Sequence, residues 1–263
     1  MYEFDFVKPA SLAEASAALE TEDALPLGGG QTLIPAMKQR LAAPTVLVSL
    51  NAISELRGIC VSEDGALCIG GGTTHAQVAA EAGAHYPALA ELAARIGDPA
   101  VRNRGTLGGS LANNDPAACY PAAALASMAR IRTNGREIAA DDFFLGMFLT
   151  ALEERELIVE VRFEPPNSAN YQKFLQPASR FALVGVFVAR YNDHVRVSVT
   201  GASESGVFRW REAEATLSTD FVPDALTGLD LSAEGMISDM HGPAEYRAHL
   251  VKVLTGRAVA QAA

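Results

Sequence analysis

Two glycine-rich turns, "LGGGQTLIP" at 27–35 and "GTLGGSLANNDPA" at 105–117, constrain this chain more than any other feature. Each sets Thr or Ser beside paired glycines and then runs into apolar residues. Without a Cβ, the backbone can be approached closely and can take left-handed φ. A diphosphate needs several donors converging at about 3 Å. Backbone N–H groups of such loops supply them, and the hydroxyls of Thr32, Thr106 and Ser110 add more. Two turns far apart in the chain can hold one diphosphate from two sides. Neither is a dinucleotide fingerprint, because "GGGQTL" lacks the GxGxxG spacing, and no Gly-Lys-Ser/Thr follows as in a Walker A loop. The plainer alternative is that the glycines only supply turns. A third run, "GGGTTH" at 70–75, reads either as another turn or as a loop beside a ligand.

Net charge narrows the ligand classes. At -10 the chain lacks the basic footprint of broad nucleic-acid binding. A bound phosphate is then expected on backbone N–H groups rather than on an Arg/Lys cluster. Cys60, Cys68 and Cys119 are odd in number and include no CxxC pair, so no metal or iron–sulfur site is expected on this chain. A reduced, cytoplasmic compartment follows as an expectation. The opening "MYEFDFVKPASLAEA" has no signal-peptide pattern, and no apolar run reaches membrane-spanning length.

Along the 263 residues the pattern is α+β. Ser11 and Glu14 form a capping box ahead of a helix with Leu12, Ala15, Ala18 and Leu19 on one face. "ALPLGGGQTLIPAMKQRLAAP" reads as strand, turn and short helix stopped by Pro44, and "TVLVSLNAI" as a strand. A hairpin is expected around Glu63-Asp64-Gly65, and "YPALAELAARIG" as a helix ending near Gly97. The Ala-rich run after 115 reads as helix or strand. Pro165-Pro166 marks a boundary. Beyond it, two strands joined at Tyr191–His194 precede the helices "REAEATLS" and "PAEYRAHLVKVLTGRAVAQAA". In the second helix Tyr246, Leu250, Val253 and Leu254 share a face, with Arg247 pointing elsewhere.

No residue is singled out as catalytic. His75 and His85 are solitary and read as structural or solvated. Asp98 and Asp115 read as turn caps, and Cys60 and Cys68 as core. Trp210 in "FRWRE" reads either as an interface residue or as strand-end packing.

The segments "PLGGGQTLIPAMKQRLAAP", "IGDPAVRNRGTLGGSLANNDPAA" and "GPAEYRAHLVKVLTGRAV" resemble, in the same order, the FAD-binding medium subunit of the molybdenum hydroxylases, the family of carbon monoxide dehydrogenase and xanthine dehydrogenase. The resemblance implies a vanillyl-alcohol-oxidase/p-cresol-methylhydroxylase-type FAD-binding fold of two subdomains, 1–56 and 57–166, and a C-terminal flavoprotein domain, 167–263. It implies non-covalent FAD, its diphosphate wrapped by Gly29, Gly30, Gln31, Thr32 and Leu33 from one side and by Thr106, Leu107, Gly108, Gly109 and Ser110 from the other. Asn113 and Asp115 would shape the loop beyond. Ile96 would sit near the isoalloxazine, Leu157 near the adenine end, and Lys173 would be the surviving lysine of a basic cluster. The implied partners are a small [2Fe–2S] subunit and a large molybdopterin subunit in a dimer of heterotrimers. This chain would pass electrons from the clusters to a quinone, NAD or O2.

Three positions depart from the family pattern. Cys119 replaces an Asp expected to contact the adenosine part of FAD. Leu175 replaces a lysine, and Arg180 an Asp. The resemblance together with these departures implies weaker FAD retention or an altered flavin potential. The competing classes are a stand-alone flavin oxidase of the same fold and a flavin-free scaffold. The region after Pro166 is short for the substrate domain of an oxidase.

Overall fold

The structure is a computed structural model describing residues 1–262. Its first sheet is built from β1 (Asp5–Val7), α1 (Leu12–Ala18), β2 (Ala24–Leu27), α2 (Leu33–Lys38) and β3 (Val46–Ser49). The strands run parallel in the order β1-β3-β2. Parallel neighbours need crossovers, and the two helices provide them. The Ser11 side chain accepts the Glu14 N–H, as expected, but Glu14 Oε2 takes the N–H of Ala10 rather than that of Ser11. Ala15 and Leu19 are buried with Val48, Ile53 and Leu56. Pro44 does not stop α2. The helix closes earlier, where Arg40 takes φ 64° and the Leu41 N–H returns to Ala36 O, a left-handed helix end.

The second sheet is antiparallel, in the order β4-β5-β10-β6-β7. It comprises β4 (Ile59–Val61), β5 (Leu67–Gly70), β6 (Arg130–Thr133), β7 (Glu137–Ala139) and, after a small hairpin, β10 (Ile158–Phe163). Between β5 and β6 lie α3 (His75–Glu81), α4 (Pro87–Ala94), α5 (Pro99–Arg102), α6 (Leu107–Asn113) and α7 (Tyr120–Ala126). Between β7 and β10 lie α8 (Ala140–Phe143) and the hairpin strands β8 (Phe144–Gly146) and β9 (Leu149–Thr150). The Ala-rich run is the helix α7, every residue of which is buried. Leu67, Ile69, Ile131, Val161 and Phe163 face the core. Period-two alternation turns Cys68 to the other face, and Cys60, its partner across the hairpin, is exposed. The expectation that Cys60 is a core residue is therefore corrected.

The third sheet is an antiparallel meander of β11 (Ser168–Leu175), β12 (Ala182–Arg190), β13 (Val195–Thr200) and β14 (Phe208–Arg209), with α9 (Arg211–Thr219) and α10 (Ala244–Ala262). Tyr171, Phe187 and Ala189 join the core of the second sheet. Val184, Val186 and Val188 pack under α9 and α10 on the opposite face. Covered on both sides, β12 is apolar along nearly its whole length. Trp210, 2 % exposed, belongs to this second core, so strand-end packing is the outcome for it.

Two arginines tie the second and third sheets together. Arg196 donates to both oxygens of Asp141 on α8 at 2.7 Å, and Arg209 donates to the same carboxylate at 3.1 Å. Burial by itself raises the Asp141 carboxyl, but the arginines outweigh it and hold the group below the ordinary range. In α10 the expected faces are partly reversed. Arg247 is buried and donates to Leu183 O at 2.8 Å and Gly201 O at 2.7 Å, whereas Tyr246 is 38 % exposed beside Phe174.

Candidate cofactor site

The two glycine turns touch. A Cβ on Gly29 would stand 2.1 Å from Arg104 O and 2.6 Å from Gly105 Cα. One on Gly28 would stand 3.1 Å from Thr106 Oγ1. Only glycine permits this approach at position 29. Gly30, at φ 70°, then turns the chain into α2. Both turns border one cavity of about 740 Å³, a volume in the ordinary range for cofactor sites.

The turns offer different chemistry. None of the N–H groups of Gly29, Gly30, Gln31, Thr32 or Leu33 donates to an acceptor among the described residues. In the second turn four donors are already engaged, and only the Thr106 N–H has no acceptor among the described residues. Leu107 N–H goes to Thr73 O at 3.0 Å, Gly108 to Gly71 O at 2.8 Å, Gly109 to Thr106 Oγ1 at 3.2 Å and Ser110 to Thr106 O at 3.0 Å. The expectation of two backbone grips is narrowed on this point, because the second turn keeps the Thr106 N–H alone. The first turn presents five amides, while the second presents the Thr106 N–H, small surfaces and the Ser110 and Asn113 side chains. The third glycine run explains the asymmetry, because its carbonyls hold the start of α6. Gly71 and Gly72 themselves line the cavity.

Fourteen of the fifteen expected positions border the cavity: Gly29, Gly30, Gln31, Thr32, Leu33, Ile96, Thr106, Gly108, Gly109, Ser110, Asn113, Asp115, Leu157 and Lys173. Leu107 does not. Its side chain is fully buried in the core of the second sheet, where the first helical turn of α6 must bury an apolar group. Asp115 acts as a turn residue, accepting the Ala117 N–H at 2.8 Å, and Asp98 caps α5 through Val101 N–H at 2.9 Å.

Lys173 is buried, and its Nζ donates to Arg95 O at 3.1 Å and lies 3.4 Å from Cys119 Sγ. No carboxylate pairs with it among the described residues. A buried cation without an anion calls for one from a ligand. Glu156, also at the cavity, is not that partner. Burial raises its carboxyl, but hydrogen bonds from Arg136 at 3.0 Å and Thr133 at 2.6 Å prevail and hold it at about 2.

His75 is a site residue that the sequence did not mark. It borders the cavity, is buried, and its Nδ1 has no partner. Burial, with the Arg102 charge adding, pushes its pKa down to about 4, so it is neutral at ordinary pH. Its backbone N–H donates to Gly105 O at 2.9 Å, just before Thr106. The signal was the "TTH" ending of the third glycine run: Thr74 and Gln77 form a capping box that starts α3 at His75. His85 is exposed.

At the far end of α6, Asn114 takes left-handed φ 42°. Its Nδ2 donates to Gly146 O at 2.7 Å and Leu149 O at 2.9 Å, and its carbonyl accepts the Phe148 N–H at 3.0 Å. Three bonds thus fasten the β8–β9 turn to the helix that borders the cavity.

Residues 2–166 match the family described as the FAD binding domain in molybdopterin dehydrogenase. The chain belongs to that family. Its similarity continues beyond the matched region. The carbon monoxide dehydrogenase medium chain of Hydrogenophaga pseudoflava is 33 % identical, over 97 % of this chain and 96 % of the relative. The nicotine 6-hydroxylase medium subunit of Paenarthrobacter nicotinovorans is 34 % identical, over 98 % and 96 %. Among solved structures, reconstituted CO dehydrogenase from Oligotropha carboxidovorans superposes with a TM-score of 0.89 at 32 % identity, covering 99 % of this chain and 98 % of that one. Quinoline 2-oxidoreductase from Pseudomonas putida 86 superposes with a TM-score of 0.89 at 30 % identity, covering 99 % and 97 %. The α+β fold expected from the resemblance, FAD-binding region and C-terminal domain together, is that of the family's medium subunits, and the chain is an oxidoreductase subunit.

The site fits FAD on its own residues. It combines five unengaged amides, a close backbone approach that a Cβ would block, and a buried lysine lacking an anion. No group of three or more His, Cys, Asp or Glu is placed to hold a metal ion among the described residues, and no described helix is long and apolar enough to cross a membrane.

Proposed function

We propose that this chain is the FAD-carrying electron-transfer subunit of a multisubunit, cytoplasmic molybdenum hydroxylase. One observation carries the reading: the turns at 28–33 and 105–110 abut across one cavity, and the amides left to donate there come mainly from the first, with the Thr106 N–H added by the second. The N–H groups of Gly29 to Leu33 face the diphosphate, and Thr106, Gly108, Gly109 and Ser110 close the opposite wall. Ile96 lies toward the isoalloxazine and Leu157 toward the adenine. Lys173 supplies a positive charge where the cofactor is anionic, and Asn113 and Asp115 shape the loop after α6. Segments 1–56, 57–166 and 167–263 act as two FAD-binding subdomains and a C-terminal domain.

Bound FAD supplies one- and two-electron redox chemistry, and the protein contributes position and electrostatics. Electrons arrive from [2Fe–2S] clusters on a small subunit, while substrate is hydroxylated at molybdopterin on a large one, in a dimer of heterotrimers. The acceptor is a quinone, NAD or O2. The chain spans 96 % of the length of two relatives named as medium chain or medium subunit, which favours the subunit role over an oxidase with a substrate domain of its own.

The test is purification of the full chain from cells expressing its neighbouring genes. Yellow colour released by acid, near-stoichiometric FAD and two co-purifying subunits are expected. Colour retained by the precipitate supports a covalent oxidase, and colourless protein refutes the FAD assignment.

A further inference from the structure

We infer that Cys60 and Cys68 form a reversible dithiol site, oxidised to an intramolecular disulfide by hydrogen peroxide, on the solvent side of the five-stranded sheet. Cys60 on β4 lies directly opposite Cys68 on β5 in antiparallel register. Ser62 N–H donates to Ala66 O at 2.9 Å on one side of the pair, and Gly70 N–H to Gly58 O at 3.0 Å on the other. Hydrogen-bonded pairs recur at every second residue of an antiparallel ladder, so Cys60 and Cys68 occupy the bonded pair between them, with Cα atoms about 5.5 Å apart. A disulfide spans Cα separations of about 4.4–6.8 Å but draws the Cβ atoms to about 3.5–4.5 Å, closer than the roughly 5.5 Å of a bonded pair. So β4 must shift slightly as the bond forms, and the bond is the more easily reduced for it. Residues directly opposite each other project from the same face. Both thiols are free.

Their surroundings divide the labour. Cys60 is exposed and meets the oxidant first. Cys68, beside it on the inner strand and 8 % exposed, acts as the resolving thiol. Arg162 is the next residue across the sheet from Cys68. Burial raises the Cys68 thiol and Glu160 adds to this, while Ser62 and Arg162 act in the opposite sense. Neither cysteine borders the cofactor cavity, so the site stands whether or not the chain carries FAD.

The chemistry balances in two steps. The Cys60 thiol reacts with hydrogen peroxide to give a sulfenic acid and one water. The Cys68 sulfur then attacks the Cys60 sulfur, forming the S–S bond and releasing a second water. The two thiols lose two electrons and two protons, and the peroxide gains them. A glutathione-class thiol reverses the reaction by exchange, and partly exposed disulfides are the readily reduced ones. The loop enclosed, residues 61–67, is short, so the bond constrains the unfolded chain little. The site therefore acts locally, pinning the edge strand β4 to β5.

The test treats the reduced, full-length native chain with a small excess of hydrogen peroxide and follows intact mass, thiol count in denaturant and a peptide map. The expected product is lighter by two hydrogens, monomeric, joined between the Cys60 and Cys68 peptides, with the free thiols falling from three to one. Dithiothreitol restores three. Cys60→Ser, at an exposed position, abolishes the mass loss, and so does Cys68→Ala. Four outcomes overturn the inference: oxygen added at Cys60 with Cys68 still free, a Cys60-linked dimer, a bond to Cys119, or no reaction at either thiol.

Discussion

Gly29 lies against the carbonyl of Arg104 so closely that a Cβ there would stand 2.1 Å from the oxygen. This contact joins two turns that the chain separates widely, and backbone atoms on the far side cannot step away as a flexible side chain would.

Gly29→Ala must therefore push the turns apart. Overpacking of this kind costs about 1–3 kcal/mol, and the spacing of the amides changes with it. FAD occupancy of the purified chain should fall at least several-fold, with a lower thermal midpoint. Flavin absorbance per chain and a melting curve check both. Occupancy equal to the parent's argues against the proposed grip.

Asp141→Asn removes the carboxylate shared by Arg196 and Arg209, whose side chains are 7 % and 13 % exposed. Breaking a fully buried ion pair by removing one partner costs about 3–5 kcal/mol, but the Asp141 side chain is 37 % exposed and solvent screens the pair. Glu214 still holds Arg209 at 2.7 Å, so a loss of about 1–2 kcal/mol, between the exposed and the buried cases, is expected. Urea titration measures it, and a loss of only a few tenths would show that the junction between the two sheets rests on apolar packing instead.

His75 makes stability depend on pH. Its pKa falls from 6.5 to about 4 on folding, so between those values the unfolded chain binds more protons. The stabilisation is complete above 6.5 and is lost as pH falls from 6.5 toward 4, by roughly 3 kcal/mol in all. His75→Asn should flatten the stability profile across that window. Chemical denaturation at a series of pH values tests this, and parallel profiles would disprove it.

Cys119→Asp restores, at a residue that borders the cavity, the side chain expected to contact the adenosine part of FAD, a gain set against partial neutralisation of the nearby Lys173. With the residue type of the family pattern restored, FAD should bind about tenfold tighter, close to 1.4 kcal/mol. Equilibrium dialysis of the apoprotein with FAD reads the change. Unchanged affinity would mean that the Cys119 departure does not weaken FAD binding.

The parts of this architecture that depend on short-range pattern were legible. The Ser11 cap, the hairpin at 63–65, the strand pair joined at Tyr191–His194 and the two glycine turns all follow from neighbouring residues. What escaped depends on distant partners. Arg247 reads as a surface residue until Leu183 O and Gly201 O need a donor. Cys60 reads as core until the pairing of β4 with β5 assigns its face. The engaged amides of Leu107 and Gly108 were hidden because their acceptors, Thr73 and Gly71, lie far upstream. The end of α2 at Arg40 was missed because a left-handed arginine leaves no mark in composition.

Asn114 gives the cavity a handle on the outside of the molecule. Leu145, Phe148 and Leu149 stand exposed on a hairpin tip that is fastened to α6 by this side chain and its carbonyl. The seven residues of α6 form a strut about 10 Å long, with that tip at one end and the Thr106 wall at the other. One short helix thus carries an exposed apolar tip at one end and a wall of the cavity at the other, with Asn114 as the joint between them.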